Sequence, residues 1–178
     1  MTIDEKIERT DRLNAYKAAL QSTDRQAWVA ALDDIRNDDI TEIIPDLVSF
    51  LSVIPEKEMK DAIYTLFDEL KLSSAIPALM DALQACKSAE VRNRLVRSCW
   101  YNNFNYADYL PFFKSIFIKE PFEAAYDAFT VIENMQGPVD KKLVDEVIAE
   151  LKLDASKLDP VKKELIPDLI GLIEKLRI

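Results

Sequence analysis

The chain has 178 residues, 49% of them hydrophobic and 31% charged, with a formal net charge of −9. It contains no histidine and two glycines, which excludes histidine-based catalytic pairs, zinc sites with histidine ligands and glycine-rich phosphate-binding loops. No apolar run approaches the ~18 residues of a membrane span, and the first residues lack the apolar segment of a secretory signal. We therefore expect one cytoplasmic globular domain without membrane contact, cofactor or metal.

Helix is predicted along the whole chain, because glycine is scarce and Ala, Leu, Lys, Glu and Asp are abundant. Helix starts are indicated by Pro55 and Pro121 and by the capping residues Thr23 and Ser88. Gly137 is expected to close the helix that begins at Pro121. The predicted helices cover residues 3–21, 24–36, 40–52, 55–70, 73–86, 89–102, 107–118, 121–135, 139–151 and 160–176.

Three segments of the chain resemble one another and carry a proline at the same position. Pro45, Pro77 and Pro111 are spaced 32 and 34 residues apart. Since proline is tolerated in the first turn of a helix, each one predicts the start of a second helix that follows a partner helix. The aligned segments are ITEIIPDLVSFL (40–51), LSSAIPALMDAL (72–83) and YADYLPFFKSIF (106–117).

Two further segments continue this pattern with changes. Residues 139–151 keep the apolar positions, but Asp145 stands where the proline is expected, 34 residues after Pro111. Residues 163–176 restore Ile-Pro-Asp-Leu around Pro167, only 22 residues later. We expect this last unit to be irregular, with Pro167 either kinking its helix or marking a helix start.

A pair of helices with one apolar seam cannot bury that seam alone, so successive pairs are expected to stack around a continuous core. This arrangement is an α-solenoid, and it accounts for the whole chain as a single domain, residues 1–178. The expected parts are an N-terminal capping helix in residues 1–22, four helix pairs in 23–151 and an irregular C-terminal unit in 152–178.

Two motifs resemble those of HEAT-like proteins of the armadillo/HEAT class, over roughly residues 23–151. They are Glu90-Val91-Arg92 before a helical apolar stripe, and Ile-Pro-x-Leu at the start of second helices. The period of 32 to 34 residues is shorter than the ~40–47 residues of typical units. The resemblance implies a right-handed α-α superhelix of four to five helix pairs that serves as a scaffold or adaptor, and it implies that Arg92 serves the packing of its own repeat.

The stretch WYNNFNYADYLPFF, residues 100–113, holds seven of the sixteen aromatic residues in the chain. On the predicted helix 107–118, Phe113 and Phe117 match apolar positions of the other repeats, so they are expected in the core. Phe112 is large and apolar where the first repeat has a carboxylate. It is therefore a candidate for partner contact.

The helix before this stretch divides into two faces, and the apolar face with Val91, Leu95, Val96 and Cys99 is predicted to be buried. Exposed aromatic and Arg side chains on the other face are the types that dominate binding hot spots. The alternative is that Tyr and Trp bridge core and solvent while Asn caps the turn. The candidate partner-binding residues are Arg94, Arg97, Trp100, Tyr101, Asn103 and Phe112.

Charge varies along the chain, and residues 87–119 hold six Lys and Arg against two Asp and Glu, a net charge of +4 in an acidic protein. A local positive field on a negative body attracts an acidic peptide or a small anion more than an extended nucleic acid. An acidic protein or peptide partner is therefore the expectation from charge.

The leading functional hypothesis is a non-catalytic, protein- or peptide-binding scaffold rather than an enzyme. A nucleic-acid-acting protein of the DNA-glycosylase type is the alternative that the HEAT-like resemblance implies, and the pI of about 4.7 opposes it. In a third hypothesis, the apolar helix at 165–178 makes a weak homodimer of an otherwise monomeric chain. Cys86 and Cys99 are expected to be packed side chains, with a redox pair or half of a zinc site as alternatives.

Overall fold

The structure is a computed structural model that describes residues 2–37 and 41–178. These residues form α-helices joined by short turns, with no β-strand among them, so the all-α prediction is confirmed. The predicted start at residue 40 lies outside the described residues. The helices are α1 Ile3–Leu20, α2 Arg25–Asn37, α3 Ile44–Leu51, α4 Lys57–Asp68, α5 Ile76–Ala85, α6 Ala89–Asn102, α7 Leu110–Lys119, α8 Phe122–Glu133, α9 Lys141–Asp154 and α10 Pro160–Glu174.

The three aligned prolines occupy the same place in their helices, as predicted. Pro45, Pro77 and Pro111 are each the second residue of a helix, where a missing N–H leaves no intrahelical bond unmade. Each of these helices follows directly on a 3-10 turn of three residues. The turns are Thr41–Ile43, Ser73–Ala75 and Ala107–Tyr109.

Three expectations about helix ends are wrong or settled differently. Pro167 lies in the interior of α10, which runs without a break from Pro160, so it does not mark a helix start. Gly137 does not close α8, which ends at Glu133 with Asn134 as its cap. At the start of α2 the capping oxygen belongs to Asp24, whose Oδ1 accepts the Gln26 N–H at 2.9 Å, rather than to Thr23.

The chain divides into two compact units, with residues up to Val91 in unit one and residues 92–178 in unit two. In unit one α1 packs on α2, α2 packs on α4, and α3 packs on α4 and α5. Its core is formed by fully buried apolar side chains, including Ile43, Leu47, Leu51, Ile63, Phe67 and Leu79. No helix in the described ranges of the chain is long and apolar enough to cross a membrane.

Three ion pairs of unit one join residues that are 33 positions apart. Two of them connect α2 with α4, one near the first residues of these helices and one near their last. Helices α2 and α4 therefore run in the same direction and are displaced by one sequence period. The pairs are Arg9–Glu42, Arg25–Glu58 and Arg36–Glu69.

In unit two α7 packs on α8 and α9, and α10 packs on α8 and α9. Phe113 and Phe117 are fully buried, as the repeat comparison predicts. The apolar side of α10 is used within the same unit, because Ile166, Leu169 and Ile173 are buried. These side chains complete the core of unit two rather than forming an exposed stripe.

A buried lysine connects α10 to the end of α7. The Lys162 Nζ donates to the backbone carbonyl oxygens of Phe117, Ile118 and Glu120 at 3.2, 3.2 and 2.8 Å. The last carbonyls of a helix have no intrahelical donor, so a cation placed there satisfies them and interacts favourably with the helix dipole. Lys162 is thus buried with its hydrogen bonds made.

The C-terminal residues pair with the segment before α9. The Val139 N–H donates to the Leu176 carbonyl at 2.7 Å, and the Ile178 N–H donates to the Val139 carbonyl at 3.1 Å. This pairing brings backbone so close to Gly137 that a Cβ atom there would lie 2.6 Å from the Leu176 oxygen. A side chain at residue 137 would therefore displace the C-terminal segment.

We expect Gly137→Ala to lower the free energy of unfolding by about 1–3 kcal/mol, since the added methyl group overpacks against backbone that cannot move aside freely. Gly171 is the matched control: it lies within α10 with nothing within 4 Å of its Cβ position. Gly171→Ala should raise stability by about 0.5–1 kcal/mol through helix propensity. Urea unfolding followed by circular dichroism measures both changes, and equal effects of the two substitutions would contradict the close approach at Gly137.

Candidate functional site

Helix α6 carries four of the six candidate residues; its apolar face is buried as predicted, whereas the face predicted to be exposed is exposed only in part. The helix begins beside Ser88, whose Oγ accepts the Val91 N–H at 3.3 Å. The apolar face is buried, including the fully buried Leu95 and Val96. The other face carries Arg94, Arg97, Trp100 and Tyr101, of which the arginines are half-buried and the two aromatic residues exposed.

Trp100 and Tyr101 form a stacked pair of rings at the end of α6, which we call the α6 pair. Their centroids are 5.0 Å apart and their planes differ by 16°. Trp100 is 37% exposed and Tyr101 is 54% exposed. Two large rings thus expose apolar surface to solvent, and the opposite face of the same helix is buried in the core.

Arg97 is paired with a carboxylate of α8. Its Nε donates to Asp127 Oδ2 at 3.0 Å, and Asp127 is only 5% exposed. Burial raises the pKa of Asp127, and the charges of Arg97 and Arg94 act in the opposite direction. Arg94 also donates from Nη1 to Ser98 Oγ at 3.0 Å. Part of the positive charge predicted to attract a partner is therefore used to hold a buried carboxylate.

The next carboxylate along the same side is Glu120, between α7 and α8. It accepts from Arg92 Nη2 at 2.6 Å and from Asn93 Nδ2 at 3.0 Å. The Asn93 hydrogen bond is the main cause that lowers the pKa of Glu120, and the charges of Arg92 and Lys162 lower it further. Arg92 therefore serves internal packing, as the resemblance implies.

These contacts place α6 and α8 side by side and in the same direction. A small cavity of about 250 Å³ lies between them. Charged side chains of both signs line it, so it does not present a positive surface. The lining residues are Asn93, Arg94, Arg97, Pro121, Glu123, Ala124 and Asp127.

The asparagines at the end of α6 and in the turn that follows have structural roles. Asn103 has a φ of 53°, in the left-handed region that Asn tolerates better than most residues. Asn102 Oδ1 accepts the Tyr106 hydroxyl at 2.9 Å. Asn105 bonds both the N–H and the carbonyl of Gln136, at 3.0 and 2.8 Å. The backbone conformation alone accounts for an asparagine at residue 103.

Phe112 lies on α7 and is half-buried. Its ring meets Phe113 edge-on, with centroids 5.2 Å apart and planes at 88°. Among the described residues no ring contact joins it to Trp100 or Tyr101. The structure thus collects Arg94, Arg97 and the α6 pair on one helix face, and it leaves Phe112 with the packing of α7.

A row of aromatic rings on α8 is absent from the sequence-based prediction. Phe122, Tyr126 and Phe129, which we call the α8 strip, follow one another at i, i+4 and i+7. The first two ring centroids are 5.9 Å apart, and Tyr126 and Phe129 are 6.1 Å apart with planes differing by 9°. Phe122 is 40% and Tyr126 is 48% exposed. The i, i+4, i+7 spacing of these rings indicates that they share one face of a helix. This signal was overlooked because small residues such as Ala124 and Ala128 form the buried face of α8.

The two cysteines occupy different surroundings. Cys99 is fully buried beside the hydroxyl of Tyr106, and burial raises the pKa of its thiol to about 12. A thiol with this pKa is protonated at neutral pH and is a poor nucleophile. Cys86 is half-buried, with its Sγ 3.5 Å from the Ser88 carbonyl. The packed interpretation therefore fits Cys99.

Comparison of the chain with known protein families, with curated proteins and with solved structures finds no match. Within the described residues, no group of three or more His, Cys, Asp and Glu side chains is arranged to hold a metal ion. The exposed features of unit two, the α6 pair and the α8 strip, are therefore the basis for a functional argument.

Proposed function

We propose that the chain is a HEAT-like α-solenoid and that it acts as a non-catalytic, protein- or peptide-binding module. Alternate helices pack on one another within each unit, α2 on α4 and α3 on α5 in unit one, α7 on α9 and α8 on α10 in unit two. Stacked helix pairs produce this alternation. Three ion pairs of unit one, each between residues 33 positions apart, support a period of this length.

The α6 pair is the observation that carries the proposed binding function. A Trp and a Tyr side chain are exposed side by side on a helix that the core holds rigid. Rigid aromatic side chains supply large contact area at a small cost in conformational entropy, and they are enriched at the energetic centres of protein interfaces. Arg94 lies half-buried on the same helix face, where its Nη1 donates to Ser98 Oγ.

A protein or peptide fits this surface better than a nucleic acid does. The cationic side chains of α6 lie beside Glu120 and Asp127, and the whole chain carries a net charge of −9. Binding to a phosphate backbone depends on several uncompensated Lys or Arg side chains in a row. The rings of the α6 pair remain as the main source of contact area.

The test is the double variant Trp100→Ala/Tyr101→Ala. A photo-crosslinking amino acid at residue 101 first captures a partner, which is then purified and titrated by calorimetry. We expect the double variant to weaken that complex about thirtyfold or more, because truncating even one aromatic hot spot costs about 2 kcal/mol or more. Its melting temperature should stay within about 2 °C of the parent, since both side chains are exposed.

Val53→Ala/Leu72→Ala is the matched control, because Val53 and Leu72 are exposed apolar residues of unit one. This control should leave the affinity unchanged. Equal affinities of the parent and the Trp100→Ala/Tyr101→Ala variant would show that the α6 pair is not the binding surface.

A further inference from the structure

The α8 strip combines exposed aromatic rings with carboxylates. Glu123 and Glu133 are exposed on the same helix, with Glu123 at the edge of the cavity that Arg94 and Arg97 also line. In the described part of the chain neither carboxylate has an ion pair. On a helix, Glu133 follows Phe129 by four residues and Tyr126 by seven, so it extends the row of rings. Glu123 precedes Tyr126 by three residues. The rings are therefore flanked by negative charge at both ends.

Glu133 occupies a position that a helix ordinarily disfavours for an acidic residue. It is the last residue of α8, where the helix dipole is negative, and the last turn contains no basic residue. An acidic residue at the C-terminal end of a helix is unfavourable for helix stability when no contact compensates it. Its presence there indicates a role other than stabilising the helix. Glu133 and the carbonyl end of α8 together favour a cation at this place.

We propose that the α8 strip binds a cationic segment of a protein partner, with arginine side chains stacked on the rings and paired with Glu123 and Glu133. A guanidinium group within ~6 Å of an aromatic centroid is attracted by the ring face, and it can at the same time donate to a carboxylate. This inference rests on the proposed interaction function, and it assigns the chemistry of the partner to a different helix from the α6 pair.

Charge complementarity favours a basic partner over the acidic one that the sequence predicts. Three of the six cations between residues 87 and 119 form ion pairs within unit two: Arg92 with Glu120, Arg97 with Asp127 and Lys114 with Glu150. The net charge of −9 steers a cationic segment toward the protein and an anionic one away from it. The strip then provides a place where such a segment can bind.

The probe for this inference is the peptide acetyl-Gly-Arg-Gly-Arg-Gly-amide, added to the ¹⁵N-labelled full chain at low salt. We expect saturable amide shift changes centred on α8, and weaker binding as salt is added. Tyr126→Ala and Glu133→Gln should each weaken binding about threefold or more. Tyr101→Ala is the matched control and should bind the peptide as the parent does, because it removes an exposed tyrosine from α6 instead of α8.

Other results would overturn the inference in distinguishable ways. Equal binding of the corresponding peptide with Asp in place of Arg would exclude recognition of a cation. Shift changes centred on α6 and removed by Tyr101→Ala would assign the peptide to the α6 pair, leaving the proposed function intact. Shifts of α8 signals that depend on protein concentration alone would identify a second copy of the chain as the occupant. Absence of peptide binding, with a crosslinked partner still dependent on the α6 pair, would reject the α8 assignment only.

Discussion

Lys162→Met is expected to lower the free energy of unfolding by about 3 kcal/mol. The substitution keeps most of the apolar stem but removes the ammonium group that binds three carbonyl oxygens at the end of α7. Hydrogen bonds from a charged donor contribute about 1.5–3 kcal/mol, and buried carbonyls that lose their donor add a desolvation cost. Urea unfolding monitored by circular dichroism measures the loss.

Lys163→Met is the matched control, because Lys163 is the next residue of α10 and is exposed. It should change stability by about 0.5 kcal/mol or less, as is usual for exposed positions. If Lys162→Met is as stable as the parent protein, water replaces the ammonium group at α7 without cost, and the contact is not important for stability.

Glu120→Gln is expected to lower the free energy of unfolding by about 2 kcal/mol at pH 7, since hydrogen bonds to a charged group contribute about 1.5–3 kcal/mol. It should also make stability less sensitive to acid. Asn93, Arg92 and Lys162 hold the pKa of Glu120 below its ordinary value of 4.5. The folded protein therefore binds this proton less readily than the unfolded chain does. The stabilisation is fully present above pH 4.5 and is lost as the pH falls through the lower pKa of the folded state.

Measuring the free energy of unfolding of both proteins between pH 7 and about pH 3 tests this expectation. The difference between the parent and Glu120→Gln should be largest at neutral pH and should shrink in acid. Glu123→Gln, which changes an exposed carboxylate three residues away, should follow the parent curve. A Glu120→Gln curve parallel to that of the parent would show that the network does not depend on ionisation of Glu120.

The parts of the fold predicted from the sequence depend on local rules. Pro45, Pro77 and Pro111 each mark the second residue of a helix, because the steric demand of proline acts within one turn. The cap of α6 at Ser88 and the buried positions Phe113 and Phe117 follow equally from spacing along a single helix. Such features are visible in any window of about a dozen residues.

The error at Gly137 concerns a residue whose surroundings come from a distant part of the chain. Gly137 resembles a helix cap in the sequence, but the backbone of Leu176 is the reason that a side chain does not fit there. At Pro167, by contrast, the predicted helix 160–176 agrees with α10, which begins at Pro160, capped by Asp159, and continues through the proline. A local sequence pattern predicts the wrong role for a residue when the contact that determines this role lies tens of residues away.

The candidate site shows the same limitation for charge. A sum over residues 87–119 counts Arg97 as an attractive cation, although its partner Asp127 lies outside that window. The ion pair of Arg97 with Asp127 joins residues 30 positions apart, so a local sum of charges does not detect it. The α8 strip was not predicted because both faces of α8 carry apolar residues, buried alanines on one and exposed rings on the other. A hydrophobic pattern in the sequence therefore does not distinguish the two faces.

The burial of Cys99 supplies a native reporter of local opening. A thiol with a pKa of about 12 that is sealed inside unit two reacts with alkylating reagents only while the surrounding helices separate. In a Cys86→Ser variant, the rate of Cys99 alkylation would measure how often these helices separate in the absence of denaturant. The same burial that makes the Cys99 thiol unreactive in the folded protein therefore makes it a probe of local unfolding.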